Sequence, residues 1–445
     1  MTDGRGNTTT THYNELGQID WIQDAVGHRT TYGYDTQGHR TVVTDALSNT
    51  VYTAYDELGN TVATWGSTYP VAYDYDTQGR MSAMYTYRGG SEVISLSQIQ
   101  GLKPTMDRTT WLYAHSTGLL TNKLFVDGKG TSYAYTLDGK LATRTWARGV
   151  STYYSYDLYG ALTDVTYSDD TPAVTYTYDR LGRMTSAISS VATNLFTYNA
   201  LDLVSETQNG IALSRTTDGL GRPTGYHLSY ASYMPHSVAY SYDGLGRFES
   251  ITSSAESAPS AVTYSYVYLP NTDLLSGMTT STGHAWSRTY EPHRDLIASV
   301  SNTWNGTPGS AFDYQNDALG RRTMRTDTLA TALPIQNLFG YNTRSEVTSA
   351  LMGTNNYTYT FDPIGNRLTV ANNGIGTAYL TNPLNQYTNI VKSVAVQPCY
   401  DLDGNTTATG DGWHYMWNGE NRLITASNDT LQVEYAYDHR GRMMW

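Results

Sequence analysis

Along this chain, aromatic and β-branched residues alternate with Thr and other small polar residues in short runs. Val174-Thr175-Tyr176-Thr177-Tyr178 and Tyr357-Thr358-Tyr359-Thr360-Phe361 are two of them. A period of two sends successive side chains to opposite faces of an extended strand. Each run ends in the same punctuation: an aromatic residue, Asp or Asn, two variable residues, then Gly or Asn. The unit occurs as Tyr34-Asp35-Thr36-Gln37-Gly38, Tyr55-Asp56-Glu57-Leu58-Gly59 and Tyr75-Asp76-Thr77-Gln78-Gly79. It returns as Tyr178-Asp179-Arg180-Leu181-Gly182, Tyr242-Asp243-Gly244-Leu245-Gly246 and Phe361-Asp362-Pro363-Ile364-Gly365. Near the C-terminus it reads Tyr400-Asp401-Leu402-Asp403-Gly404 and Tyr437-Asp438-His439-Arg440-Gly441.

The chemistry of the unit is that of a type I turn. Asp or Asn at the first position bonds the amides ahead of it, Pro suits the second, and Gly at the fourth tolerates a left-handed backbone. Asp362-Pro363-Ile364-Gly365 carries all three preferences. A type I turn followed by a left-handed residue is a common hairpin tip with a bulge. Each Tyr, Asp and Gly named above is therefore expected to be a structural turn residue. The chain is expected to be all-β, an antiparallel ribbon of hairpins. About twenty residues per unit leave room for two strands and two turns. The array is read as one domain over residues 1–445, with an insertion near 85–110 around Arg88-Gly89-Gly90. A looser stretch spans Leu269 to Pro292.

Composition refines this picture. With 40 Tyr against 6 Phe, the aromatic face carries hydroxyls, which suits a sheet with one wet surface. The net charge is -12 and 15% of residues are charged, without a basic cluster, which argues against nucleic acid and anionic membranes. No apolar run reaches the roughly twenty residues of a membrane helix. The single Cys399 cannot form an internal disulfide and is expected to be a buried strand thiol. Residues 1–7 read like the middle of a repeat rather than a secretory signal, so the chain is expected to be a fragment.

No catalytic constellation stands out. An Asp that recurs in equivalent turns behaves as a turn cap, and one Asp per turn is too few hard ligands for calcium. The histidines are scattered, and His39 and His439 fall in turns where a polar surface role is expected. No catalytic, metal-binding or cofactor-binding residue is assigned.

The Tyr-Asp-x-x-Gly-Arg units and their Tyr-x-Tyr strands resemble the Rhs/YD-repeat family of bacterial polymorphic toxins, Tc toxin C components, wall-associated proteins and teneurins. The resemblance runs over about residues 13–442. It implies a ribbon that spirals into a hollow shell holding a C-terminal toxin, secreted or at the cell surface. It also implies a terminal core with an Asp-Pro-x-Gly element and an aspartyl autoprotease. Asp362-Pro363-Ile364-Gly365 imitates that element inside an ordinary repeat, so no catalytic residue is carried over and self-cleavage is not expected. The implied partners are the toxin cargo and the remaining shell segments, with glycans or secretion components beside them. The alternative reading is a carbohydrate- or cell-surface-binding repeat module. It would call for a Trp at one register, whereas Trp21, Trp65, Trp111 and Trp146 hold none.

Overall fold

A computed structural model describes residues 1–89, 95–230, 233–255 and 260–445. Among them, 34 strands form one sheet and five more, from Cys399–Tyr400 to Gln432–Glu434, form a second. Strands pair antiparallel with their neighbours in the chain. Val174–Tyr178, for example, pairs with Leu162–Tyr167 behind it and Met184–Ile188 ahead of it. The antiparallel β-ribbon expected from the alternation is the fold that forms. The register slips by one residue at the motif aromatic, between Thr177 and Tyr178, Ala54 and Tyr55, and Ser241 and Tyr242. That slip is the bulge that a type I turn with a left-handed fourth residue requires.

Cores are small because a ribbon of short strands buries little. One comprises Val174, Ala187 and Phe196, with Tyr176, Met184, Tyr198 and Leu203 packed around them. The other is built by the insertion. A helix over Leu96–Leu102, started by the Ser95 hydroxyl accepting from the Gln98 amide, puts Ile99 fully out of solvent against Ala63, Trp65, Ala72, Tyr87 and Met106. Seven residues are too few to show a helical period in sequence. Gly90 of the insertion lies outside the described residues.

The chain divides into two compact units. The first comprises Met1–Thr110, Ser265–Asn385 and Ile390–Val394, and the second Trp111–Tyr264, Gln386–Asn389 and Ala395–Trp445. The second sheet lies in the second unit. Cys399, expected to be buried, is exposed: its strand has only two residues, and Cys399 is the one facing outward. Among the described residues no helix is long and apolar enough to cross a membrane.

Candidate functional site

The repeated turn is built as follows at Tyr178–Arg183. The Asp179 carbonyl accepts from the Gly182 amide at 3.0 Å, and the Asp179 amide donates to the Arg183 carbonyl at 2.9 Å. Asp179 Oδ1 accepts from the amides of Leu181 and Arg183 at 2.8 and 3.0 Å, and Oδ2 accepts Arg183 Nε at 2.6 Å. Gly182 has φ +76°, where a β-carbon is strained. The same bonds recur at the turns of Asp35, Asp56, Asp76, Asp243, Asp362, Asp401 and Asp438. Gly38, Gly59, Gly79, Gly246, Gly365, Gly404 and Gly441 share the left-handed conformation, with φ from +76° to +91°.

The residue after the Gly closes the turn. Arg80, Arg247 and Arg442 reach the Oδ2 of their Asp, as do Asn60, Asn366 and Asn405 and the His39 imidazole. These donors hold Asp56 and Asp179 below the ordinary carboxylate value of 3.8, chiefly through Asn60 and Arg183. At Asp35 and Asp76 desolvation pushes upward, and the hydrogen bonds together outweigh it.

Two features of the motif go beyond what the sequence shows. The first is the tyrosine hydroxyl. Tyr178 donates to the Leu162 carbonyl at 2.9 Å, Tyr34 to Ile19 at 2.8 Å, Tyr55 to Arg40 at 3.0 Å and Tyr75 to Thr61 at 2.8 Å. Tyr242 reaches Pro223 at 2.6 Å, Tyr400 reaches Tyr387 at 3.1 Å and Tyr437 reaches Leu423 at 2.7 Å. Each acceptor belongs to the preceding hairpin, so the hydroxyl ties one repeat to the next. The excess of Tyr over Phe was the signal; a wet face alone does not account for it. The second is a relay between turns: Arg183 also stacks over Tyr198 at 4.5 Å, Arg222 over Tyr242 at 4.6 Å and Arg321 over Tyr341 at 4.7 Å.

In the second unit the C-terminal turns do more. Glu420 pairs with Arg144 at 2.8 Å, the Gly419 carbonyl accepts Trp146 Nε1 at 2.7 Å, and the Gly419 amide donates to Thr171 Oγ1 at 2.6 Å. Arg148 Nε lies 2.7 Å from Asp403 Oδ2, a charge contact without hydrogen-bond alignment. Burial pushes Asp403 up despite Arg148. The last turn is keyed more deeply. Asp438, 2% exposed, accepts Gln208 Nε2 at 3.0 Å in addition to its own turn, and Arg442 reaches Glu206 at 3.0 Å. Burial raises Asp438, but the bonds from Arg442 and Arg440 leave it below 3.8. His439, expected on the surface, instead packs its edge against Tyr176 and Phe196 and meets Asn194 at 3.2 Å.

The Asp362 carboxylate is taken up by its turn, accepting from Ile364 and from the amide and side chain of Asn366. Among the described residues, no group of three or more His, Cys, Asp or Glu is placed to hold a metal. Side chains spent on one another in this way hold a ribbon of repeated turns together.

Comparison with known proteins shows what the ribbon resembles. Residues 317–445 match the family described as the teneurin YD-shell. The fold matches a crystal structure of TcdB2-TccC3-Cdc42 with a TM-score of 0.81 at 14% identity, over 99% of this chain and 26% of that one. It also matches the Photorhabdus luminescens Tc holotoxin pore carrying the TccC3 D651A mutation, at TM-score 0.79 and 14% identity over the same shares. This chain thus spans about a quarter of the length of those proteins. No curated relative matches it by sequence. The resemblance to the Rhs/YD-repeat family holds: residues 317–445 carry its shell signature, and the whole chain has its ribbon fold.

Proposed function

We propose that this ribbon is part of the wall of a shell that encloses a polypeptide cargo, with further segments of a longer protein completing the enclosure. The observation that carries the reading is the turn ladder. Asp, Gly, the closing Arg or Asn and the Tyr hydroxyl all bond within the ribbon, so the motif builds a wall and leaves no repeated reactive group. The exposed tips, such as Leu181 at 69% and Leu245 at 76%, are apolar contact points for neighbouring segments. A toxin is the cargo that the family resemblance suggests, and a secreted or cell-surface setting follows from it.

The test is protection. The protein that contains this ribbon, with its C-terminal polypeptide attached, is treated with a nonspecific protease below and above the ribbon's melting temperature. The cargo should survive while the ribbon is folded and be digested once it melts. Digestion at the same rate in both states overturns the reading.

A further inference from the structure

The ribbon has two edges of different make. At the motif edge the strands turn through the aromatic-Asp-x-x-Gly unit, and at the opposite, return edge through other links such as Asn209-Gly210 and Asn373-Gly374. Among the described residues, the long-range contacts inside each unit join a motif edge to a return edge. In the first unit Arg5, on the return edge, donates to the Glu291 and Arg294 carbonyls of a motif turn. Tyr69 and Arg88, farther along the same edge, reach Glu346 and the Thr381 carbonyl, both at 3.4 Å. In the second unit the return-edge residues Arg148, Thr171 and Gln208 meet Asp403, Gly419 and Asp438 in three motif turns. The sense is constant: the earlier stretch of chain supplies the return edge and the later one the motif edge.

That sense leaves over the motif edge of an earlier stretch and the return edge of a later one, and both carry apolar tips. Leu181, Leu201, Leu220 and Leu245 hold the third place of four consecutive motif turns and are 69% to 81% exposed. At the same place in docked turns, Ile364 beside the Tyr69 contact and Leu384 beside the Arg88 contact are half-buried. On the return edge four consecutive turns carry Trp304, Leu333, Met352 and Ile375, 41% to 87% exposed. Exposed apolar rows of this kind mark interaction sites. Turns on one edge recur at every second strand, so both rows have a pitch of about 10 Å.

We propose that the Leu181–Leu245 motif edge of one molecule docks on the Trp304–Ile375 return edge of a second copy. The contact continues between molecules the pairing of edges that each unit already uses within itself. The two rows match in number, pitch and apolar character. Two different patches meet, so the contact is head-to-tail rather than a patch on its own image. A leucine row laid on a leucine row would pair two motif edges, which no contact inside either unit does. The inference needs the ribbon and its two edges but no cargo, so its failure leaves the protection test above to decide the wall reading.

Sedimentation of the purified chain from about 1 to 100 µM, the weak end for interfaces of ordinary size, tests this. The average mass should rise with concentration. One triple variant, Leu181→Asp, Leu220→Asp and Leu245→Asp, spoils the motif edge; another, Leu333→Asp, Met352→Asp and Ile375→Asp, spoils the return edge. Each should stay monomeric alone. Mixed in equal amounts they should form a dimer and stop there, because one intact edge of each kind remains. All six positions are exposed, so the melting temperature should match that of the unaltered chain; Ser replaces Asp wherever it does not. A chain that stays monomeric throughout overturns the proposal. So does a return-edge variant that associates as the unaltered chain does, or a mixture that forms no dimer.

Discussion

Two turns of the second unit share one motif and differ in what surrounds it. At Tyr178–Arg183 and Tyr437–Arg442 the Asp accepts the same two amides, the closing Arg reaches Oδ2 at 2.6 Å in both, and the glycines sit at φ +76° and +78°. The Tyr hydroxyls reach Leu162 and Leu423 alike. Outside this frame they part. The Asp179 side chain is 23% exposed and the turn tip Leu181 faces solvent, whereas the Asp438 side chain is 0% exposed and bonded to Gln208. The motif fixes the turn; its surroundings differ, with Leu181 out in solvent and His439 packed against Tyr176 and Phe196.

The sharpest way to break this comparison is to remove each carboxylate. Asp438→Ala strips acceptors from Arg442 and Gln208 in a buried setting. It should cost about 2–3 kcal/mol, toward the low side for a buried pair because Arg442 is itself 45% exposed. Asp179→Ala should lower the melting temperature less. Hydrogen exchange of peptides 437–445 and 178–184 measures both, and equal losses would mean that docking adds nothing to the turn.

The glycines sharpen it next. A methyl group added at Gly182 would meet open space, so Gly182→Ala should cost only the left-handed strain, about 1–2 kcal/mol. At Gly441 the same methyl would come within 3.0 Å of Arg422 Cζ. Gly441→Ala should therefore cost more than Gly182→Ala by urea unfolding, unless Arg422 swings clear at no loss.

What was legible in the sequence is local. The turn bonds span two to four residues, and their chemistry is written in Asp, Pro and Gly at fixed offsets. The docking was not legible, because Arg442 meets Glu206 across 236 residues and nothing periodic marks either partner. His439 looks like any polar turn residue until Tyr176 and Phe196 are placed beside it. The helix at Leu96–Leu102 leaves too faint a signal, a single buried Ile99. Residue type alone suggests a buried Cys399 and cannot foresee a two-residue strand.

The tyrosine tie gives a smaller effect, testable in both directions. Tyr178→Phe removes the bond to Leu162 and should cost about 1 kcal/mol. Phe361 already lacks a hydroxyl at the equivalent place. In the other turns the acceptor is the first residue of the preceding return strand, which for Phe361 is Val347 of Val347–Met352. Phe361→Tyr should regain up to about 1 kcal/mol through that carbonyl. A neutral or destabilising result would show that the tie depends on more than register.

The mildest perturbation is pH, and it separates the two turns without mutation. Burial sets His439 below its ordinary 6.5, with Arg440 and Arg442 adding to the effect and Asp438 and Glu206 opposing it. A group depressed in the folded state gives stability that is present above its unfolded value and lost as pH falls through the folded one. His439 should thus begin to loosen the last turn at some pH below 6.5. Asp179 and Asp438 are depressed from 3.8, so by the same sign they hold both turns until pH falls below that value. Between these limits exchange should quicken in peptide 437–445 and stay unchanged in 178–184. His439→Gln, which cannot titrate, should abolish that early phase and leave the acid phase in place. Parallel loosening of both peptides would show that the buried histidine is not what distinguishes the two turns.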